Sequence, residues 1–486
     1  MMEAILTHPL LGHGAALAVA APLAGAVLAA LMPGPRAAAA VCGIALTVMT
    51  LGVIGLFFAV QNGPLIYALG PGLAWRLDGW SAFSALMVAT TAPLVLLIGG
   101  GTFIEAAGPA ARHGFSLVLV AVGASLGLAF AADLASLAVW VQVIGLSLAG
   151  ATALGASARP AALGGAMRAG VALGLAGALA WFGVALALAQ QGGLDVGQFR
   201  AGPEGLDRAS AAALILACVA AASVGLLAPF HHWASSLMGA APGLVSLTIL
   251  GISAPVGLMA LGRFAAALAG VEEAAIAGAA LVVLGAASAL IGSIQALAAR
   301  DVRRLAGYGF AAHAGCALMG LALGTVGGAT AAALHIASAA AGALLLAAAG
   351  GRVGAISQLD GAGRSAPLTA LCAALGCFVF MGAPFTLGFA STWLLLEAML
   401  GAGWWAGSGL VVAASLAAVA FGGRLLERLY FRTAQADGIG SSEPLHGIGL
   451  FLAVLAVAAA GVASGWVADL AEAAGASLIA WPMGGR

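Results

Sequence analysis

The sequence predicts an all-α integral membrane protein of about fourteen transmembrane helices. Charge content, the spacing of apolar runs and two proline breaks carry that expectation. The chain has 486 residues, of which 63% are hydrophobic and 7% charged. A soluble domain carries about 25% charged residues, so this chain lacks the charge to cover a soluble surface. A bilayer solves the problem, because lipid solvates apolar side chains while helices satisfy their own backbone. The formal net charge is zero, which argues against nucleic acid as a partner. The 73 glycines suit close helix packing.

A span needs about 20 apolar residues. Such runs lie near 10–32, 37–61, 80–101, 113–131, 133–155, 165–190 and 209–238. A second set lies near 243–268, 272–299, 304–323, 327–350, 365–401, 405–427 and 445–468. The first run is too long and too poorly flanked for a cleaved signal peptide, so it reads as the first span. The longest polar connection, near 191–208, holds Asp195, Arg200, Glu204, Asp207 and Arg208. No stretch has room for a soluble domain.

Spans seven and twelve read as broken. One carries Ala228-Pro229-Phe230-His231-His232-Trp233, the other Gly382-Ala383-Pro384-Phe385. Proline removes a helix hydrogen bond and frees a carbonyl, and broken membrane helices line cavities or are buried in protein. Pro229 and Pro384 are 155 residues apart. The five-span blocks 113–268 and 272–427 have nearly that offset, and an odd number of spans per block makes the repeats inverted. Residues 1–112 then form a three-helix N-terminal segment, and 428–486 a C-terminal helix and tail.

All 17 basic residues are arginines, so no lysine-dependent mechanism can run here. The odd-numbered loops hold Arg36, Arg112, Arg159, Arg300, Arg303, Arg304, Arg352, Arg364, Arg424, Arg428 and Arg432. The even loops and the C-terminus hold Arg76, Arg200, Arg208, Arg263 and Arg486, while Arg168 falls inside span six. Arginine excess marks the cytoplasmic side. The expected location is therefore a bacterial inner (plasma) membrane, multi-pass, with both termini periplasmic. The five cysteines lie in apolar runs without a CxxC pair and read as small buried hydrophobes. No nucleotide loop, metal site or nucleophile–base constellation suggests catalysis or a cofactor within the chain.

Several segments resemble the antiporter-like membrane subunits of the complex I superfamily. They are Leu77-Asp78-Gly79-Trp80, Asp133-Leu134 with Trp140, and Pro229-Phe230-His231-His232-Trp233 followed by Ala241-Pro242. Asp301-Val302-Arg303-Arg304-Leu305-Ala306 with Tyr308, Ala312-His313-Ala314-Gly315 and Phe389-Ala390-Ser391 extend the match. The family includes the N, M and L chains of NADH:quinone oxidoreductase, hydrogenase-4, formate hydrogenlyase, membrane-bound [NiFe]-hydrogenases and Mrp-type antiporters. The membrane subunits of some bicarbonate-uptake complexes are also relatives. The resemblance implies fourteen spans, inverted five-helix repeats and broken spans seven and twelve. It also implies partners: sister antiporter-like subunits, lipids, and a redox module whose Fe–S, flavin, [NiFe] or quinone cofactors sit outside this chain.

In that family, proton transfer is attributed to buried glutamate and lysine residues along the mid-plane. Carried over one position at a time, the span-five glutamate becomes Gln142 and the span-seven lysine Val224. The span-eight lysine falls near Ala254. One span-eleven histidine is kept as His335, while the next positions are Ala339 and Ala343. The span-twelve charge becomes Thr392. Every acid or lysine position is neutral, which reads as an antiporter-like scaffold with its switch disabled.

The remaining proton-path candidates are His231, His232, His313, His335, Glu397 and Arg168. Each has an ordinary packing alternative: a cap on freed carbonyls for the pair at the break, a satisfied buried histidine for His313 and His335. For Glu397 it is a helix-end carboxylate, and for Arg168 an arginine reaching to the interface. Asp301 with Arg303 and Arg304 reads as a salt-bridged turn. Three functions stay open at this point. They are a structural membrane-arm subunit of a redox-driven complex, an active translocator with altered relay residues, and the membrane subunit of a bicarbonate or solute-uptake complex.

Overall fold

The computed structural model describes residues 13–70, 73–155, 160–191, 193–197, 208–268, 274–351, 354–433 and 444–480. Arg159, Arg200, Arg352, Arg486 and most of the 191–208 connection lie outside them. The chain opens with α1 (Gly14–Leu31) and α2 (Pro35–Ala59), then an antiparallel hairpin of β1 (Leu65–Gly70) and β2 (Leu73–Leu77). The first half continues with α3 (Gly79–Ala107), α4 (Ala111–Phe130), α5 (Leu134–Leu154), α6 (Ala161–Gln191), α7 (Arg208–Val224) and α8 (His232–Ala240). Next come α9 (Gly243–Thr248), α10 (Ala254–Leu268), α11 (Ala274–Ala298), α12 (Val302–Leu321) and α13 (Val326–Ala349). The last group is α14 (Ala362–Ser365), α15 (Pro367–Met381), α16 (Leu387–Gly401), α17 (Trp405–Phe431), α18 (Pro444–Val462) and α19 (Ser464–Ala480).

Ten helical segments among the described residues are long and apolar enough to cross a bilayer. One, Gly79–Phe130, holds both α3 and α4. The outward side chains include Val27, Leu31, Ile44, Val171 and Leu416, as expected of surfaces solvated by lipid. Two breaks interrupt the pattern where the prolines predict them, between α7 and α8 and between α15 and α16. In the first, Leu226 takes a left-handed conformation at φ 58°; in the second, Gly382 does so at φ 69° and Phe385 at φ 63°.

Aspartate caps recur in the two halves. Asp133 caps α5, and its backbone pairs with Asp195 beyond α6. Asp301 caps α12, and its backbone pairs with Ala355 beyond α13. The helical segment Gly243–Leu268 joins the two ends of the molecule. Near its start, the Ala241 carbonyl accepts from Arg303 Nη1 at 2.6 Å. Near its other end, Arg263 Nη2 meets Asp78 Oδ1 at 2.8 Å. The hairpin and Asp133 share the Asp78 end, because Asp133 Oδ2 accepts from the Ala74 amide at 3.0 Å. The two aspartate caps therefore sit at opposite ends, as an inverted repeat requires.

Gly243–Leu268 is wholly buried within the protein and Val326–Ala349 nearly so. These are the central helices. A wide turn at Ile249–Ser253 separates α9 from α10. Pro255 explains it: it has no N–H to offer the Gly251 carbonyl, which instead accepts from Thr91 Oγ1 at 3.0 Å.

Three expectations need correction. Arg263, placed in an outer loop by the arginine count, is buried inside α10. Its positive charge follows a partner, Asp78, and not the membrane surface. Asp301 caps the amides of Arg303 and Arg304 at 3.0 Å, while the Arg303 guanidinium turns to the Ala241 carbonyl. The expected C-terminal tail contains a helix, α19. Two small-residue contacts seat it: Gly79 lies against the Ala473 carbonyl, and Gly475 against Thr330. Ser477 Oγ also accepts from the Trp80 amide at 2.9 Å.

Candidate proton path

α12, α13 and α16 bring three polar side chains into one buried line. His313 Nδ1 lies 3.0 Å from His335 Nε2, and His335 Nδ1 lies 3.1 Å from Ser391 Oγ. Ser391 Oγ in turn contacts the Gly388 carbonyl at 3.2 Å. Both histidines are buried. His313 is eleven residues into the 20-residue α12, about 16 Å along it, near the middle of that helix. The Phe380 ring lies beside His313, centroids 5.0 Å apart. His313 Nε2 has no hydrogen-bond partner among the described residues.

This line has two proton arrangements. When Ser391 donates to the Gly388 carbonyl, His335 donates from Nδ1 and accepts at Nε2 from His313 Nδ1–H. His313 Nε2 is then a bare lone pair. When Ser391 instead donates to His335 Nδ1, each imidazole carries its proton on Nε2. Converting the first into the second moves a proton from His313 to His335 and from His335 to Ser391, and it also needs one proton delivered to His313 Nε2 and one released from Ser391 Oγ. One end of the line closes on a backbone carbonyl, and the other faces Phe380.

The break in span twelve positions Ser391. Thr386 Oγ1 caps α16 by accepting from the Phe389 amide at 3.3 Å. Gly388 lies directly on the Val379 carbonyl, where a Cβ would overlap backbone that cannot yield. Gly388→Ala is expected to pry the half-helices apart, at about 1–3 kcal/mol or more. A lower melting temperature in mild detergent, and loss of the His335–Ser391 bond in a variant structure, check this.

His231 forms a second, separate site. Its Nε2 lies 2.6 Å from Gln295 Oε1, and since that oxygen only accepts, Nε2 holds the proton. Its Nδ1 is buried without a hydrogen-bond partner among the described residues. A void of about 10 Å³ borders His231, Arg304 and Tyr308, roughly the space of one water. Ser288 stitches this break to α12, accepting from the Ala228 amide at 3.0 Å and donating to the Ala311 carbonyl at 2.8 Å. His232 and Arg168 are both exposed and line one open cavity. Glu397 is exposed on the same face as Phe389 and Trp393, away from the histidine line.

The sequence profile of the NADH:quinone oxidoreductase/Mrp antiporter transmembrane family matches residues 131–417, which is more than half of the chain. The chain belongs to that family. NADH-quinone oxidoreductase subunit N 2 of Solidesulfovibrio magneticus is 30% identical over 361 residues, covering 72% of this chain and 74% of that one. Subunit N of Rhodopseudomonas palustris is 30% identical over 435 residues, covering 88% and 89%. In fold, the chain is similar to a subunit of an archaeal membrane-bound sulfane sulfur reductase. The TM-score is 0.86 at 22% identity, covering 96% and 97% of the two chains. It is also similar to a chain of the Mrp complex from Dietzia sp. (TM-score 0.83, 20% identity, 97% and 98% covered). A chain of Thermus thermophilus complex I gives 0.76 at 23% identity, covering 94% and 98%.

Within this antiporter-like family fold, the neutral positions are filled by packing. Val224 ends α7, buried where its Cγ1 lies against Gly257 of α10. Ala254, Ala339 and Ala343 are buried in the central helices. Gln142 Oε1 accepts from Trp181 Nε1 at 3.3 Å, and its side chain presses on Gly177. Thr392 is half-buried, with Oγ1 facing Gly382. Pro229 and Pro384 both sit in the helix breaks.

The sequence reading missed Ser391, Gln295 and the Asp78–Arg263 pair. Asp78 is buried at the N-cap of α3, between Arg263 and Arg76, at 2.8 Å and 2.9 Å. Burial alone pushes its carboxyl up, but Arg263, the Ser81 amide and Arg76 together outweigh burial and hold it below its ordinary value. The sign follows by linkage. This group adds stability above the unfolded-state value of about 3.9, and loses it as pH falls through the lowered folded value. Melting temperature against pH is therefore expected to drop below about pH 4, and Asp78→Asn to remove that part of the drop.

Proposed function

We infer that this chain is an antiporter-like membrane-arm subunit of a proton-translocating redox complex, and that it positions sister subunits without running a lysine–glutamate switch itself. One observation carries the reading: Val224 is packed against the Gly257 backbone, at the position where relatives are expected to hold a titrating lysine. A buried ammonium needs space, water or a counter-charge, and Val224, Ala254, Ala339 and Ala343 supply none. The relatives named as subunit N of NADH-quinone oxidoreductase suggest the kind of complex. Its partners would be other antiporter-like membrane subunits and a redox module carrying any Fe–S, flavin, [NiFe] or quinone groups.

The repeats would be 113–268 and 272–427, flanked by 1–112 and 428–486. A tally of fourteen spans splits Gly79–Phe130 and adds α12 and the two broken spans to the ten qualifying segments. The end bearing Arg303, Arg304, Arg424 and Arg428 would face the cytoplasm of a bacterial inner membrane, with both termini periplasmic.

The His313–His335–Ser391 line favours a second reading, residual proton transfer through this subunit. Proton stoichiometry per electron pair in the reconstituted complex separates the two. With His335→Gln, the positioning role predicts intact assembly and unchanged stoichiometry. Intact assembly with a lower stoichiometry would establish the relay.

A further inference from the structure

The outer face of α6 and the break between α7 and α8 enclose an open cavity of about 520 Å³. Its walls are largely apolar. Val171, Leu175 and Leu179 run along α6 from Arg168, spanning about 16 Å over eleven residues. That is a slot of acyl-chain proportions. Pro229, Phe230 and Trp233 close its other side.

Arg168 and His232 are the ionisable residues lining the slot, Ser223 adds a hydroxyl that donates to the Val219 carbonyl, and no carboxylate lines it. The Arg168 guanidinium lies back beside Gly164, 3.6–3.7 Å from where a Cβ there would sit, so it points toward the start of α6 and away from the mid-plane. Among the described residues it has no ion pair or hydrogen bond. The start of α6 shares an end with Arg303 and Arg304: Gly165 packs on Leu237 of α8, and Gly239 of α8 on the Arg304 guanidinium. A cation at headgroup depth, above an acyl-sized slot and without an acid to neutralise it, matches one class of ligand.

We propose that this slot binds one acidic phospholipid in the arginine-rich leaflet, its phosphate between Arg168 and His232 and one acyl chain along Val171, Leu175 and Leu179. Anionic lipids attract such cations by about 1 kcal/mol per basic residue near the surface, and the apolar wall adds burial of the chain. A zwitterionic lipid fills the same slot but carries no net charge to pair with Arg168. The site does not depend on the proton role of the histidine line.

The test uses the complex purified in mild detergent, incubated with phosphatidylglycerol or with phosphatidylcholine of the same chains. Native mass spectrometry then counts the lipids retained. Arg168→Gln is expected to lower phosphatidylglycerol occupancy at least fivefold, and His232→Gln to lower it less. Val171→Trp, which fills the slot from an exposed position, should exclude both lipids. Phosphatidylcholine retention should ignore Arg168→Gln, and inorganic phosphate should not displace the phospholipid. Equal retention of the two lipids by the unaltered complex, or unchanged phosphatidylglycerol occupancy in Arg168→Gln, overturns the proposal. So does a cross-link from Leu175→Cys to a protein neighbour at full yield in the native membrane.

Discussion

Asp78→Ala is expected to destabilise the protein by roughly 3–5 kcal/mol, because it removes the carboxylate that pairs with the buried Arg263 guanidinium. Arg263 is 1% exposed, and Asp78 Oδ1 accepts from its Nη2 at 2.8 Å. The same carboxylate takes the Ser81 amide at 3.0 Å, which caps α3, and Arg76 at 2.9 Å, which ties in the hairpin. One side chain thus holds three elements at one end of the bundle. Replacing both partners by apolar residues removes the buried charge as well, so Asp78→Ala with Arg263→Met should recover much of the loss. Thermal unfolding in mild detergent reads both variants. If the single change leaves the melting temperature untouched, the pair does not organise this end.

Val224→Lys is expected to cost several kcal/mol and to leave proton transfer unrestored. The side chain it replaces ends α7 in contact with Gly257, and the Gly225 amide sits against the same glycine. An added ammonium would meet backbone at that point. The position expected to hold a partner glutamate is Gln142, a neutral side chain engaged with Trp181. Removing a charge from water without a partner carries a penalty of several kcal/mol, which the lysine escapes only by losing its proton. Expression level, melting temperature and dye-reported proton uptake in vesicles check this together. A variant with the original melting temperature and a gain in proton uptake would mean that the scaffold still has space for the switch.

Membrane residence, the helical fold and the two breaks were legible from composition and from two prolines, because bilayer burial and the missing proline N–H act locally. Family membership was legible too, from short motifs around Asp78, Asp133, Pro229 and Asp301. Capping explains why two of those motifs stand out: Asp133 and Asp301 each begin a helix and each accept from amides on its first turn. That Gln142, Val224 and Thr392 carry no charge could also be read directly, since identity at a position needs no coordinates.

Pairing was decided elsewhere. Asp78 and Arg263 are 185 residues apart, and nothing local marks an arginine inside a span as paired. Positive charge in a loop and positive charge against a buried carboxylate look alike in one dimension. His313, His335 and Ser391 come from three helices, and they meet because Gly388 lets α16 press onto the end of α15. By itself the sequence determined the solvent this chain lives in, the helices it forms and the charges it lacks. Only the tertiary structure decided which polar groups satisfy one another, because in an apolar solvent each must find its partner across helix interfaces whose register the local sequence does not encode.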